Sequence, residues 1–147
     1  MDLINKHAGV ILYAKDQLLN LSYSDYLKWK KHPTFMTEVV WINIDDKAAY
    51  QEAMPLINSY EFQPIILEYA QEQNRRASLQ LIEDELFVVA KMTYYANEEL
   101  VFEQISMIYH EGLLITIGAY EGDVFDSIRD RLQNPLDPIR ANKTDYL

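Results

Sequence analysis

Between Ser78 and Tyr120 the sequence packs strand-like runs so closely that an all-helical fold is ruled out. Three runs, "SLQLIEDELFVVAKMTYY", "LVFEQISMIY" and "LLITIGAY", follow one another with only short polar breaks. In the second, Gln104 and Ser106 alternate with Ile105 and Met107, the two-residue period of a strand. His110-Glu111-Gly112 is a short turn, so the last two runs form a hairpin. Asn97 to Glu99 turns the pair before it. The segment therefore reads as an antiparallel meander, whose apolar face has to be covered by something else in the chain.

The upstream half supplies both more sheet and the cover. "HAGVILYA" reads as a short strand, and "QLLNLSYSDYLKW" is ambiguous between strand and helix. "KWKKHPT" is a basic surface break, with Pro33 disfavouring helix just before it. Glu38 to Ile44, "EVVWINI", is rich in β-branched and aromatic residues and reads as a buried strand, with Trp41 in the core. Asp45-Asp46 ends that strand and caps a helix starting near Lys47. Ala48, Ala49, Ala53, Leu56 and Ile57 recur at helical spacing along it, and Pro55 is expected to kink or split it. "QPIILEYAQEQ" is a second short helix with Pro64 at a first-turn position. The order is strands, helices, meander, helix, which predicts a mixed sheet with helices packed on it.

The segment after the last strand, "EGDVFDSIRDRL" (Glu121 to Leu132), carries four acids and two arginines. Asp123 is placed as a helix N-cap. Asp126 falls in the first turn, where an acid favours the helix dipole, and can pair with Arg129 on the surface. Val124, Ile128 and Leu132 recur every four residues and predict one buried face, with Phe125 beside them. "NPLDP" then interrupts.

Charge and composition narrow the function classes. The 147-residue chain has 23 acids against 13 bases, a formal net charge of -10. Phosphate backbones and anionic membrane surfaces repel such a surface, so no nucleic-acid partner is expected. There are no cysteines, which excludes disulfides, thiolate zinc sites and a cysteine nucleophile. No apolar stretch approaches the roughly 18 residues of a membrane helix, and the N-terminus lacks the pattern of a signal peptide. There is no Gly-rich phosphate loop, G-x-S-x-G elbow or H-E-x-x-H pair. The chain is therefore read as a non-enzyme, with no catalytic and no cofactor-binding residues assigned.

His7, His32 and His110 are far apart in sequence and read as surface histidines. Hard cations such as Mg²⁺ take carboxylate and carbonyl oxygens. Asp45-Asp46, Glu83-Asp84-Glu85, Glu98-Glu99 and the Asp123/Asp126/Asp130 group all offer carboxylates, yet none has the spacing of a dedicated binding loop. Each reads as a solvated face or a cap.

Three stretches together resemble a known family. "WINI" (Trp41 to Ile44), "QPIILE" (Gln63 to Glu68) and Glu85 to Leu132, with "EQISMIY", "LLITIGA" and "GDVFDSIRDRL" in that order, look like the N-terminal cytosolic domain of CorA-type divalent cation (Mg²⁺/Co²⁺) transporters. "TDYL" at the end resembles the entry to the family's stalk helix. The likeness covers roughly residues 38 to 147.

The resemblance implies one domain, residues 1–147, with an α/β (α+β) fold: an αβα sandwich whose mixed parallel and antiparallel sheet carries helices on both faces. It implies a homopentamer at the cytoplasmic face of a bacterial or archaeal inner membrane, in which Mg²⁺ between neighbouring domains holds the pore closed. Membrane helices and the Gly-Met-Asn pore signature do not occur in this sequence, so the chain is expected to be the domain without its stalk and pore. The family's H-P-x-x-L-E-D stretch, which supplies acids near the regulatory ion, reads Gln63-Pro64-Ile65-Ile66-Leu67-Glu68-Tyr69 here. Glu68 alone carries over as a metal ligand. Tyr69 replaces the second acid, and a phenol with a pKa of about 10 is a far poorer Mg²⁺ ligand than a carboxylate. Two other readings stand beside this one: the same domain in a zinc-transporting relative, and a stand-alone soluble α/β enzyme or interaction module using Glu68, Asp84 or Asp123.

Overall fold

A computed structural model of the chain describes residues 9–120, 122–142 and 144. His7 and the last residues of "TDYL" lie outside them. Among the described residues, seven strands form one sheet in the order β2-β1-β3-β7-β6-β5-β4. These are β1 (Gly9–Ala14), β2 (Gln17–Leu21), β3 (Val39–Ile44), β4 (Ser78–Ile82), β5 (Glu85–Ala96), β6 (Glu99–His110) and β7 (Leu113–Ile117). Every neighbouring pair is antiparallel except β3 with β7, which run parallel from Val40↔Leu113 to Ile44↔Ile117. The mixed sheet is thus two antiparallel lobes joined at one parallel seam.

The ambiguous early stretch resolves into strand and helix at Ser22. Ser22 caps α1 (Tyr23–Trp29) by accepting a hydrogen bond from the Asp25 N–H at 3.1 Å. Asp46 caps α2 (Lys47–Asn58) in the same way, from the Ala49 N–H at 2.7 Å. Pro55 does not split this helix; it lies inside it, in the last turn. α3 (Pro64–Gln71) starts at its proline as expected.

The first of the three strand-like runs is two strands. Glu83, with φ of 56°, turns the chain between β4 and β5. Asn97 and Glu98 turn β5 into β6, both at positive φ (51° and 65°), and Glu111 and Gly112 do the same between β6 and β7 (40° and 80°). Two consecutive left-handed residues match the twist of a two-residue hairpin.

Helices cover both faces. On one, α1, α2 and α3 pack Tyr23, Ala53, Leu56 and Ile66 against Leu12, Ile42, Phe87 and Ile115 of the sheet. On the other, α4 (Asp126–Leu132) and α5 (Pro138–Ala141) set Leu132 and Ile139 against Ile11, Tyr13, Val39 and Trp41. β3 is buried along its full length because both cores use it.

The end of the chain departs from the predicted pattern. α4 begins at Asp126, with Phe125 at the cap position, so Asp123 is not its N-cap. Val124 and Ile128 are 53 % and 37 % exposed, while Leu132 is buried. Phe125, not Val124, anchors the segment: its ring meets Trp41 edge-on, with centroids 5.6 Å apart.

Candidate functional site

α3 presents its candidate ligand to solvent for a simple geometric reason. Ile66 and Ala70 are four apart and buried against the sheet, which turns Glu68, between them, outward. The next residue, Tyr69, is half-buried. Its ring lies 6.1 Å from Phe87 of β5, and the Arg75 guanidinium sits over it at 3.9 Å. Arg75 also pairs with Glu72 at 2.5 Å. Tyr69 is therefore a packed ring with a cation above it.

Gln104 fixes this arrangement to the sheet. It had read as the polar side of a strand, but it is 8 % exposed. Its amide donates to the Glu72 carbonyl at 2.8 Å and accepts from the Arg75 N–H at 2.7 Å. One buried side chain thus satisfies two backbone groups of the turn after α3, in keeping with the rule that buried amides find partners.

The other predicted acids do not converge. Glu83 and Asp84 sit in the β4–β5 turn and Glu98 in the β5–β6 turn, while Asp126 and Asp130 are exposed on α4. Asp45 is buried and accepts from the Gly122 N–H at 2.9 Å. His32 is exposed. His110 pairs its Nδ1 with the Asp84 carbonyl at 3.1 Å and so ties two turns together. Among the described residues no three His, Asp or Glu side chains are grouped so as to hold a metal ion. Nor is any helix among them long and apolar enough to cross a membrane.

Asp123 has a role that its sequence context hides. Both of its oxygens receive Arg129, at 2.7 and 2.6 Å, and it also accepts from the Phe125 N–H and the Asn43 amide. Asn43 in turn accepts from the Thr116 hydroxyl at 2.6 Å, and Thr116 accepts from the Trp41 indole at 2.9 Å. Burial works against the Arg129 charge, but hydrogen bonds and attraction from Asp123, then Asp126, outweigh it and raise its pKa. Its guanidinium also lies 5.0 Å from the Trp41 ring. The expected surface pair with Asp126 does form, at 3.2 Å, but from a buried arginine. The sequence signal for this network is Asn43 inside "WINI" and Thr116 inside "LLITI". They are register partners across the parallel seam, and a polar residue on a buried strand needs a partner.

No family model matches the chain. A stretch of 109 residues, 73 % of the chain, is 31 % identical to the cobalt/magnesium transport protein CorA of Thermotoga maritima, and it spans 31 % of that protein. The chain thus extends over less than a third of that relative. Among solved structures, the soluble domain of CorA from Methanocaldococcus jannaschii superimposes with a TM-score of 0.61 at 13 % identity, over 90 % of this chain and 50 % of that one. The ZntB cytoplasmic domain from Vibrio parahaemolyticus does so with a TM-score of 0.58 at 11 % identity, over 86 % and 50 %. At these identities the two structures speak to the fold alone.

Proposed function

We propose that the chain, which is similar to a CorA-type transport protein, serves as the cytosolic regulatory, metal-sensing domain of a magnesium and cobalt ion transporter. The observation that carries this reading is the 31 % identity over 109 residues to a cobalt/magnesium transport protein. In this reading the full-length protein is a homopentamer of the inner membrane, the domain lies on the cytoplasmic side, and its work is regulatory rather than enzymatic.

Glu68 is the ligand we propose this domain contributes to an inter-subunit regulatory ion. Its exposure on α3 supports that role. Mg²⁺ is commonly held by one or two carboxylates with several retained waters, so one carboxylate from each domain fits a site completed elsewhere. Tyr69 brings no carboxylate, only a phenol, which is a far poorer Mg²⁺ ligand, on a ring packed between Phe87 and Arg75. Ions that prefer the closed assembly would shift the population toward it.

The test is flux through the full-length protein reconstituted in vesicles, with Mg²⁺, Co²⁺ and Zn²⁺ outside and Mg²⁺ varied on the domain side. Passage of Mg²⁺ or Co²⁺, with inhibition that Glu68→Ala weakens several-fold, is the expected result. Passage of Zn²⁺ alone would assign the chain to a zinc-transporting relative. Unchanged inhibition in Glu68→Ala would remove Glu68 from the regulatory site.

A further inference from the structure

One edge of the sheet is left open. Among the described residues β4 ends the strand order and pairs only with β5, from Ser78↔Val89 to Ile82↔Glu85. The opposite edge strand, β2, is shielded on both faces: Leu19 and Leu21 join the core beneath α1, α2 and α3, and Leu18 joins the one beneath α4 and α5. β4 lacks that cover on one face. Leu79 and Leu81 are 69 % and 73 % exposed. Leu81 shares a cross-strand row with Leu86, Tyr109, Leu114 and Trp41, so it points to the side of α4 and α5. The apolar cluster on that side reaches Leu114 of β7 and stops short of β4.

The free N–H and C=O groups of an open edge are a template for another strand, and edges are usually blunted by a charge, a proline, a bulge or a covering element. β4, "SLQLI", holds no charge and no proline, and its register with β5 is unbroken. Its flanks are charged in an ordered way. Arg75 and Arg76 precede it, and Glu83, Asp84 and Glu85 follow it. Arg75 is engaged within the chain, over Tyr69 and against Glu72. Arg76 and Asp84 are exposed, and neither enters an ion pair among the described residues.

A strand with bases before it, acids after it and neither within it is complementary to itself when antiparallel. Pairing two copies about Gln80 sets Leu79 opposite Leu81 of the second copy, and Arg76 opposite Asp84. Opposed unlike charges favour such a pair, and opposed like charges disfavour it; a parallel arrangement would set arginine beside arginine. We infer that β4 pairs antiparallel with β4 of a second copy of this chain, about a two-fold axis at Gln80, joining two seven-stranded sheets into one. The contact is isologous, so it consumes the edge on both copies and stops at two. The apolar rows Leu81–Leu86 and Leu79–Val88 then run on across the axis. A net charge of -10 opposes association at long range, and one short strand offers less area than a standard interface, so the dimer is weak and grows with protein concentration. A two-fold contact does not close a five-membered ring. It is therefore distinct from the pentamer proposed above and does not rest on the transporter reading.

The chain has no cysteine, so single-cysteine variants report the contact directly. Gln80→Cys is expected to give a disulfide-linked dimer under mild oxidation, because directly opposed residues of an antiparallel pair lie within disulfide reach. Gln17→Cys, on the shielded edge strand β2, is expected not to. Sedimentation equilibrium of the 147-residue chain should show monomer and dimer in exchange. Arg76→Glu and Asp84→Lys should each weaken the dimer several-fold, and the two together should restore it. Both positions are exposed, so these variants test the register without touching the core. A chain that stays monomeric at every concentration, an assembly larger than a dimer, equal cross-linking of the two cysteine variants, or a double charge reversal no better than the singles would overturn the proposal.

Discussion

Arg129 is gripped by both carboxylate oxygens of Asp123, with 3 % and 4 % of the two side chains exposed. Neither charge has water to fall back on. Asp123→Asn is therefore expected to cost about 3–5 kcal/mol, the usual penalty for stranding one partner of a buried pair. Urea denaturation at pH 7 reads this directly. A loss under about 1 kcal/mol, typical of exposed pairs, would contradict the burial.

Asn43 joins that pair to the sheet. Asn43→Val removes the acceptor for Thr116 and a donor to Asp123. The expected loss is about 1–3 kcal/mol, the cost of buried polar groups left unmatched. Because the two residues share one network, the double variant with Asp123→Asn should lose clearly less than the sum of the singles. Strict additivity would show that they act apart.

Gly112 and Gly122 make a matched comparison. Both have positive φ, 80° and 90°. A Cβ on Gly112 would meet the Glu38 carbonyl at 2.8 Å, whereas one on Gly122 would meet nothing within 4 Å. Gly122→Ala should cost about 1 kcal/mol of backbone strain, and Gly112→Ala distinctly more. Paired thermal melts test the ordering, and equal losses would refute it.

Acid should act at the far end of the chain. Asp137 has its pKa lowered, first by the hydrogen bond from Arg131 and then by the Ile139 N–H that it caps. A depressed folded-state pKa gives stability that is complete above the unfolded value of about 4 and is lost as pH falls through the folded one. Asp137→Asn should therefore destabilise at pH 7 and approach the parent near pH 2. A gap that stays constant between these pH values would refute the assignment.

The sheet was readable because its signals are local. The alternation in β6, the β-branched run in β3 and the hairpin turns each depend on residues within a few positions. What stayed hidden depends on partners far away. Nothing near Asp123 says that its charge is spent on an arginine six residues on and an asparagine 80 residues back, so a capping role was the natural local reading. Ile128 and Val124 kept a helical period, but Trp41 offered its face to Phe125 instead. The Glu83-Asp84 break was masked by strong strand formers on both sides. Glu68 was singled out only through the resemblance, and its exposure came from the burial of Ile66 and Ala70 on either side; the fate of Tyr69 needed Phe87 and Arg75, which lie 18 and 6 positions away.

The parallel seam has a kinetic consequence. Most strands pair with a neighbour close in the chain, through turns of a few residues, but β3 and β7 join residues about 73 positions apart, as Val40 does with Leu113. Closing so long a loop costs entropy before any contact repays it. The β4–β7 meander is thus expected to form early and the seam last. Slow-exchanging amides in β5 and β6 should gain protection, during refolding, ahead of those in β3.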